Sequence, residues 1–180
     1  MKVLITGGSG SGKSLLAEEI SVRLKKDILY YFATMKIWDD ECRSRVARHR
    51  RQREGKGFTT VEVPENLAGC TEKTESSQTV LLECMSNLVA NEQFGGAGNR
   101  TVNEIMKGIE LLFAKMDSVV IVTNEVFEDR MNYNDDMKRY IENLGEINCL
   151  IAEKSDIVIE VSAGNALIYK GSEIYNEISG

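Results

Sequence analysis

The chain has 180 residues, of which 42% are hydrophobic, and this predicts a single domain over residues 1–180 with one sizeable core. The formal net charge of −6 argues against a general nucleic-acid coat protein, and the composition excludes disordered, collagen-like and coiled-coil chains. Because the sequence shows no membrane span, no signal-peptide pattern and no cysteine spacing typical of zinc sites or disulfides, we expect a reduced, cytoplasmic protein.

Hydrophobic patterning predicts strands that alternate with helices along the chain. The predicted strands are residues 2–6, 28–33, 79–83, 118–123, 156–161 and 166–170. The predicted helices are residues 13–25, a segment from Asp39 or Asp40 to about Gly55, and residues 85–94, 102–115 and 134–154. This order indicates an α/β fold with a mainly parallel central sheet, helices on both faces and a C-terminal hairpin.

A glycine-rich segment between the first strand and the first helix matches the phosphate-loop pattern G-x-x-x-x-G-K-[ST]. Its residues are Gly7, Gly8, Ser9, Gly10, Ser11, Gly12, Lys13 and Ser14. Glycines allow backbone N–H groups to surround phosphate oxygens, and a helix N-terminus favours negative charge. In this pattern Lys13 reaches the β- and γ-phosphates and Ser14 binds Mg²⁺. The alternative is a glycine-rich turn that only joins strand to helix.

A Mg²⁺ site beside a phosphate loop usually includes an acidic residue at the end of a neighbouring strand. Glu83 ends the predicted strand 79–83 and is the candidate for this position. The alternative is a solvated carboxylate at a strand end.

Positive charge is concentrated in residues 36–56 of this acidic chain. Six arginines lie between Arg43 and Arg53, and arginine suits bidentate contacts with phosphate. A phosphate site, a solvated helix face and an RNA contact are all compatible with this segment. His49, the only histidine, lies among these arginines, and neutral imidazole is a competent nucleophile.

Several short segments occur in one order along the chain. They are the phosphate loop, Ala33-Thr34-Met35, Asp39-Asp40-Glu41, Arg45, His49-Arg50, Leu81-Leu82-Glu83-Cys84 and Thr123-Asn124-Glu125-Val126. This set resembles the bifunctional adenosylcobinamide kinase/adenosylcobinamide-phosphate guanylyltransferase family of cobalamin biosynthesis, over nearly the whole chain.

The resemblance implies two reactions on a phosphate-loop α/β domain that assembles as a homotrimer. ATP or GTP would phosphorylate adenosylcobinamide with Mg²⁺, and the resulting phosphate would then accept GMP from GTP. His49 would be the residue that carries GMP covalently, with Lys13 as the second catalytic residue. The nucleotide contacts implied are residues 7–14, Ala33, Thr34, Met35, Arg50, Arg51, Gln52, Arg53, Glu62 and Glu83.

The chain departs from the family pattern at three places. Gly10 stands where arginine is frequent, and Glu83 stands where aspartate is frequent. Residues 127–132 replace a glycine-rich segment, so the family's contacts there do not carry over. Two other functions stay open from the residues alone: a monofunctional phosphate-loop kinase of another small molecule, and a non-catalytic nucleotide-binding regulatory switch.

Overall fold

The computed structural model describes residues 1–37, 39–125 and 133–179. Within them, seven strands form one sheet. They are β1 (Lys2–Thr6), β2 (Leu29–Ala33), β3 (Phe58–Glu62), β4 (Thr79–Glu83), β5 (Ser118–Val122), β6 (Ile157–Ser162) and β7 (Asn165–Lys170). Their spatial order is β3-β2-β4-β5-β1-β6-β7, and all neighbouring pairs are parallel except β6 and β7. The predicted mainly parallel sheet with a C-terminal hairpin is therefore confirmed.

Seven α-helices connect and cover the strands in the described part of the chain. They are α1 (Lys13–Arg23), α2 (Asp40–Arg53), α3 (Leu67–Glu72), α4 (Met85–Gly95), α5 (Thr101–Lys115), α6 (Asp135–Lys154) and α7 (Ser172–Ser179). A 3₁₀ turn at Gly98–Arg100 leads into α5. Among the described residues, no helix combines the length and apolar character needed to cross a membrane.

Successive side chains of a strand point to opposite faces of the sheet. Helices cover both faces, so the side chains on both faces are buried. On one face, Leu82 and Ile121 pack with Leu88, Ile109 and Ile147 from α4, α5 and α6. On the other face, Leu81 and Val120 pack with Ala17 and Ile20 from α1. The central strands therefore consist of continuous apolar residues, as parallel strands covered on both sides do.

Three elements were not predicted from the sequence: β3, α3 and α7. β3 is an edge strand whose middle residues, Thr59 and Thr60, are exposed, so it lacks the apolar pattern of a buried strand. α3 has only six residues, which is too short for a helical period to be recognised. α7 follows the hairpin directly, and two of its side chains, Tyr175 and Ile178, pack against the core on the α1 face.

The hairpin turn between β6 and β7 lies against the glycine-rich loop. Ala163 and Gly164 both have positive φ angles, 49° and 79°, which is the geometry of a tight two-residue hairpin turn. The Gly164 N–H donates a 2.9 Å hydrogen bond to the carbonyl oxygen of Ser11. The C-terminal hairpin therefore supports the loop from the side opposite β5.

Candidate functional site

A cleft of about 760 Å³ opens at the carboxyl ends of the parallel strands. Ligand sites of open α/β sheets lie at this edge, and pockets for small molecules typically measure about 300–1,000 Å³. Ala33, Glu83 and Val122, which end β2, β4 and β5, line the cleft. The glycine-rich loop after β1 and the C-terminal half of α2 also line the cleft.

The glycine-rich loop depends on glycine at two positions. Gly7 has a φ of 149°, and a Cβ atom there would lie 2.3 Å from the carbonyl oxygen of Val161. Gly12, the N-cap of α1, has a φ of 97°, in the left-handed region that favours glycine. The chain can therefore form the turn that begins α1 only with glycine at positions 7 and 12.

The N-terminus of α1 has the properties of an anion site. No side chain caps it, and its first turn contains no acidic residue. The first N–H groups of a helix have no partners within the helix, and together with the helix dipole they attract phosphate. The loop residues Ser9 to Ser14 line the cleft beside this helix end.

Lys13 is a buried cation at the base of the loop. Only 7% of the residue is exposed, and its Nζ donates a 2.8 Å hydrogen bond to the carbonyl oxygen of Gly8. Burial lowers the pKa of Lys13, and the nearby carboxylates of Glu83 and Glu125 oppose that effect. A negatively charged ligand on the loop would therefore add to the negative charge that these carboxylates place near the buried ammonium group.

Ser14 and Glu83 meet at the floor of the cleft. The Ser14 hydroxyl donates to Oε1 of Glu83, whose side chain is 10% exposed. One hydroxyl and one carboxylate oxygen form a donor set that suits Mg²⁺, which usually takes one or two protein oxygens plus phosphate and water. No group of three or more His, Cys, Asp or Glu side chains within the described ranges could hold a metal by itself. The residues therefore fit a metal that binds together with a phosphate ligand.

The acidic triplet before the arginines begins the helix that carries them. Asp39 is the N-cap of α2, and its carboxylate accepts a 2.7 Å hydrogen bond from the backbone N–H of Cys42. That bond holds the pKa of Asp39 below its ordinary value. Asp40 and Glu41 occupy the first turn, where negative charge complements the helix dipole. This motif therefore stabilises the start of the helix and lies outside the cleft lining.

The C-terminal half of α2 brings its basic residues to the cleft. Arg48, Arg50, Gln52 and Arg53 line the cleft, whereas Arg51 is exposed and does not. Nη2 of Arg50 lies 3.4 Å from Oε1 of Glu62 at the end of β3. Three guanidinium groups that line the same cleft as the phosphate loop are suited to a polyphosphate ligand.

His49 lies between these arginines and the floor of the cleft. Its side chain is 25% exposed, and its Nδ1 is 4.0 Å from Oε1 of Glu83. Nδ1 is shielded from solvent and has no hydrogen-bond partner within the described residues. The imidazole thus has one nitrogen buried towards a carboxylate and the other available to the cleft.

Tyr31 is a site residue that the sequence analysis missed. Its hydroxyl donates a 2.9 Å hydrogen bond to Oε2 of Glu83, and the Cζ atom of Arg53 lies 3.4 Å from its ring centroid. Burial, followed by the Glu83 carboxylate, raises the pKa of Tyr31 well above its ordinary value, so the hydroxyl remains a donor. The sequence shows that β2 is rich in aromatic residues, but it does not show that β2 pairs with β4, which brings Tyr31 to Glu83.

Two further sequence motifs help to shape the cleft. Thr34 is fully buried, and its hydroxyl donates to the carbonyl oxygen of Cys84 and accepts from the Cys84 N–H. Asn124 lines the cleft, and its Nδ2 donates a 2.7 Å hydrogen bond to Oγ of Ser86. Asn87 also lines the cleft and was not predicted. Residues 127–132, which differ from the family pattern, lie outside the described residues.

The structure brings most of the predicted site residues to one cleft. Those that line it are Ser9, Gly10, Ser11, Gly12, Lys13, Ser14, Ala33, Met35, His49, Arg50, Gln52, Arg53, Glu62 and Glu83. Four predicted residues do not line it: Gly7, Gly8, Thr34 and Arg51. The first three support the cleft through backbone geometry or hydrogen bonds, and Arg51 faces solvent.

Comparison with known proteins gives consistent matches. The family model described as "Cobinamide kinase / cobinamide phosphate guanyltransferase" matches residues 3–168. The bifunctional adenosylcobalamin biosynthesis protein CobP of Pseudomonas aeruginosa is 28% identical, over 97% of this chain and all of that protein. The corresponding protein CobU of Escherichia coli K12 is 34% identical, over 70% of this chain and 76% of that protein.

Among solved structures, a KaiC-like protein from Pyrococcus horikoshii OT3 superposes with a TM-score of 0.50 and 14% identity. The match covers 94% of this chain and 79% of that one. At this identity the likeness shows a shared fold alone, that of the phosphate-loop nucleoside triphosphatases.

Proposed function

This chain belongs to the cobinamide kinase / cobinamide phosphate guanyltransferase family, and from that membership we propose that the cleft described above carries out both transfers. The chain is an enzyme that uses nucleotides, and the two other functions considered from the sequence are not favoured. In the first reaction, ATP or GTP phosphorylates the aminopropanol hydroxyl of adenosylcobinamide. In the second, GTP gives GMP to the resulting phosphate, which yields adenosylcobinamide-GDP.

The phosphate loop performs the first transfer. The N–H groups at the start of α1 and the ammonium group of Lys13 bind the β- and γ-phosphates and stabilise the charge that develops during transfer. Ser14 and Glu83 would hold Mg²⁺, which neutralises phosphate charge when bound. Their adjacent oxygens at the floor of the cleft support this assignment.

His49 performs the second transfer as the nucleophile. A ring nitrogen attacks the α-phosphorus of GTP, the bond to the bridging oxygen breaks, and pyrophosphate leaves with the electron pair. Arg48, Arg50 and Arg53 provide positive charge in the same cleft, where they can stabilise the reacting phosphates. The cobinamide phosphate then takes GMP from the histidine, which regenerates the free imidazole.

The observation that carries this proposal is the position of Glu83. One carboxylate oxygen accepts the hydroxyl hydrogen bond of Ser14 and also lies 4.0 Å from Nδ1 of His49. Ser14 of the phosphate loop and the proposed nucleophile, His49, therefore both lie next to the carboxylate of Glu83. A triphosphate on the loop can extend towards His49, so both reactions can use one nucleotide site.

The direct test is to label the wild-type protein with radioactive GTP. After incubation with Mg²⁺ and denaturing electrophoresis, we expect label from α-labelled GTP to remain on the protein and label from γ-labelled GTP to be absent. The bond would be a phosphoramidate, so the label should be lost in acid and survive in alkali. Equal labelling from both positions, or an acid-stable bond, would argue for a different chemistry.

The family resemblance also leads us to propose a homotrimer. β7 is an edge strand with exposed apolar side chains, including Leu167 and Tyr169, and such strands are frequent sites of association. Light scattering at micromolar concentration should give three times the mass of the chain. A monomeric mass would reject the trimer without affecting the assignment of the cleft. We also propose that the chain forms a single domain and that the protein is cytoplasmic.

A further inference from the structure

Glu83 has to serve two partners with one carboxylate, and its orientation is therefore critical for the proposed function. Ser14 and His49 both lie on the side of Oε1. A rotation of the carboxylate would move this oxygen away from both of them at once. The other oxygen, Oε2, accepts a hydrogen bond from the hydroxyl of Tyr31, which is its one side-chain donor among the described residues.

The sheet explains why Tyr31 can reach Glu83. In the parallel pair formed by β2 and β4, Tyr31 is opposite Leu81, and Glu83 is two residues further along. Residues two apart on a strand share a face, so Tyr31 and Glu83 are diagonal neighbours on the α1 face of the sheet. Their 2.9 Å hydrogen bond is a consequence of this register.

The ring of Tyr31 is itself held in place. Arg53 stacks on its face, with 3.4 Å between Cζ and the ring centroid, and Phe58 packs edge-on with the ring centroids 6.0 Å apart. Only 5% of Tyr31 and 7% of Arg53 are exposed. The hydroxyl therefore has little freedom to leave Glu83. The stacking also links the end of the arginine helix to the floor of the cleft.

We infer that Tyr31 is a positioning residue, which orients Glu83 so that this carboxylate fixes the tautomer of His49. This inference rests on the proposed function of His49. Nδ1 is buried, and the nearby carboxylate favours a proton there over a lone pair. Nε2 then carries the lone pair and faces the cleft, as the nucleophile requires.

The chemical step follows from this arrangement. Nε2 forms the bond to the α-phosphorus, the bond from that phosphorus to the bridging oxygen breaks, and the electron pair leaves with pyrophosphate. The proton stays on Nδ1, so the ring becomes positively charged. The carboxylate of Glu83 stabilises this charge, as a buried carboxylate does beside a catalytic histidine in other enzymes.

The test compares Tyr31→Phe with Tyr30→Phe. Both substitutions remove one hydroxyl from a buried tyrosine of β2, but Tyr30 is on the opposite face of the sheet, where its hydroxyl accepts a 3.3 Å hydrogen bond from the Glu75 N–H. Tyr31→Phe keeps the ring that packs against Arg53 and Phe58. A general loss of stability would therefore affect both variants, whereas an effect through Glu83 would affect only Tyr31→Phe.

The first measurement is the tautomer of His49 in the nucleotide-free protein. Because the chain has one histidine, its ring nitrogens give unambiguous ¹⁵N NMR signals. In the neutral imidazole, we expect wild type and Tyr30→Phe to have the proton on Nδ1. Tyr31→Phe should give a mixture of tautomers. An unchanged tautomer in Tyr31→Phe, or the same change in Tyr30→Phe, would overturn the inference.

The second measurement is the rate of labelling by α-labelled GTP. Loss of an outer hydrogen-bond partner typically lowers activity about 10- to 100-fold, and we expect a decrease of this size for Tyr31→Phe alone. In a Glu83→Gln background, Tyr31→Phe should cause little further decrease, because its effect passes through Glu83. A full decrease in that background would contradict the inference. Absence of labelling in wild type would instead contradict the proposed function.

Discussion

His49→Ala is expected to abolish the transfer of GMP from α-labelled GTP to the protein. The imidazole is the proposed acceptor, and the chain has no second histidine that could replace it. The side chain is at the wall of the cleft and 25% exposed, so its truncation should leave the fold intact. Loss of the nucleophile should remove label completely instead of slowing its appearance.

The same variant is expected to keep phosphoryl transfer to cobinamide. Lys13, Ser14 and the N-terminus of α1 belong to a different element from His49, and they remain in place. The measurement is the formation of cobinamide phosphate with γ-labelled nucleotide, beside the labelling assay on the same preparation. Persistent GMP labelling in His49→Ala would identify another residue as the nucleophile. If wild type phosphorylates cobinamide but never carries GMP, the chain acts as a kinase alone.

Lys13→Ala is expected to lower phosphoryl transfer by about 100-fold or more, because it removes a preorganised charge from the developing transition state. The ammonium group is buried at the base of the loop, where its interaction with phosphate is only weakly screened by water. Its present hydrogen bond, to the Gly8 carbonyl, is a contact that a bound phosphate would replace. The effect should appear as a decrease in kcat for the kinase reaction.

Lys107→Ala is the matched control for this prediction. Lys107 is an exposed residue of α5, remote from the cleft lining, so its removal changes the net charge equally without touching the loop. It should retain the wild-type rate, and thermal unfolding should show that Lys13→Ala is still folded. A folded Lys13→Ala protein with an unchanged kinase rate would contradict the role of the phosphate loop.

Local sequence patterns were sufficient to predict the phosphate loop and the elements on either side of it. The glycines, Lys13 and Ser14 occur at fixed spacing between an apolar strand and a predicted helix, and each of these features is local. Glu83 was predicted as a site residue because it ends a buried strand, and the ends of parallel strands meet at one edge of a sheet. The charge pattern of residues 36–56 was compatible with a phosphate site, but also with a solvated helix face or an RNA contact.

Other features depended on which strands are neighbours, and the sequence does not encode strand order locally. The pairing of β2 with β4 brings Tyr31 to Glu83, and no pattern within β2 distinguishes Tyr31 from Tyr30. The direction in which α2 crosses the cleft decides that Arg53 is buried against Tyr31 while Arg51 faces solvent. The same packing places Nδ1 of His49 4.0 Å from Glu83. Composition and motifs thus determined the type of chemistry, whereas the tertiary structure decided which side chains orient it, because those contacts join residues far apart in the chain.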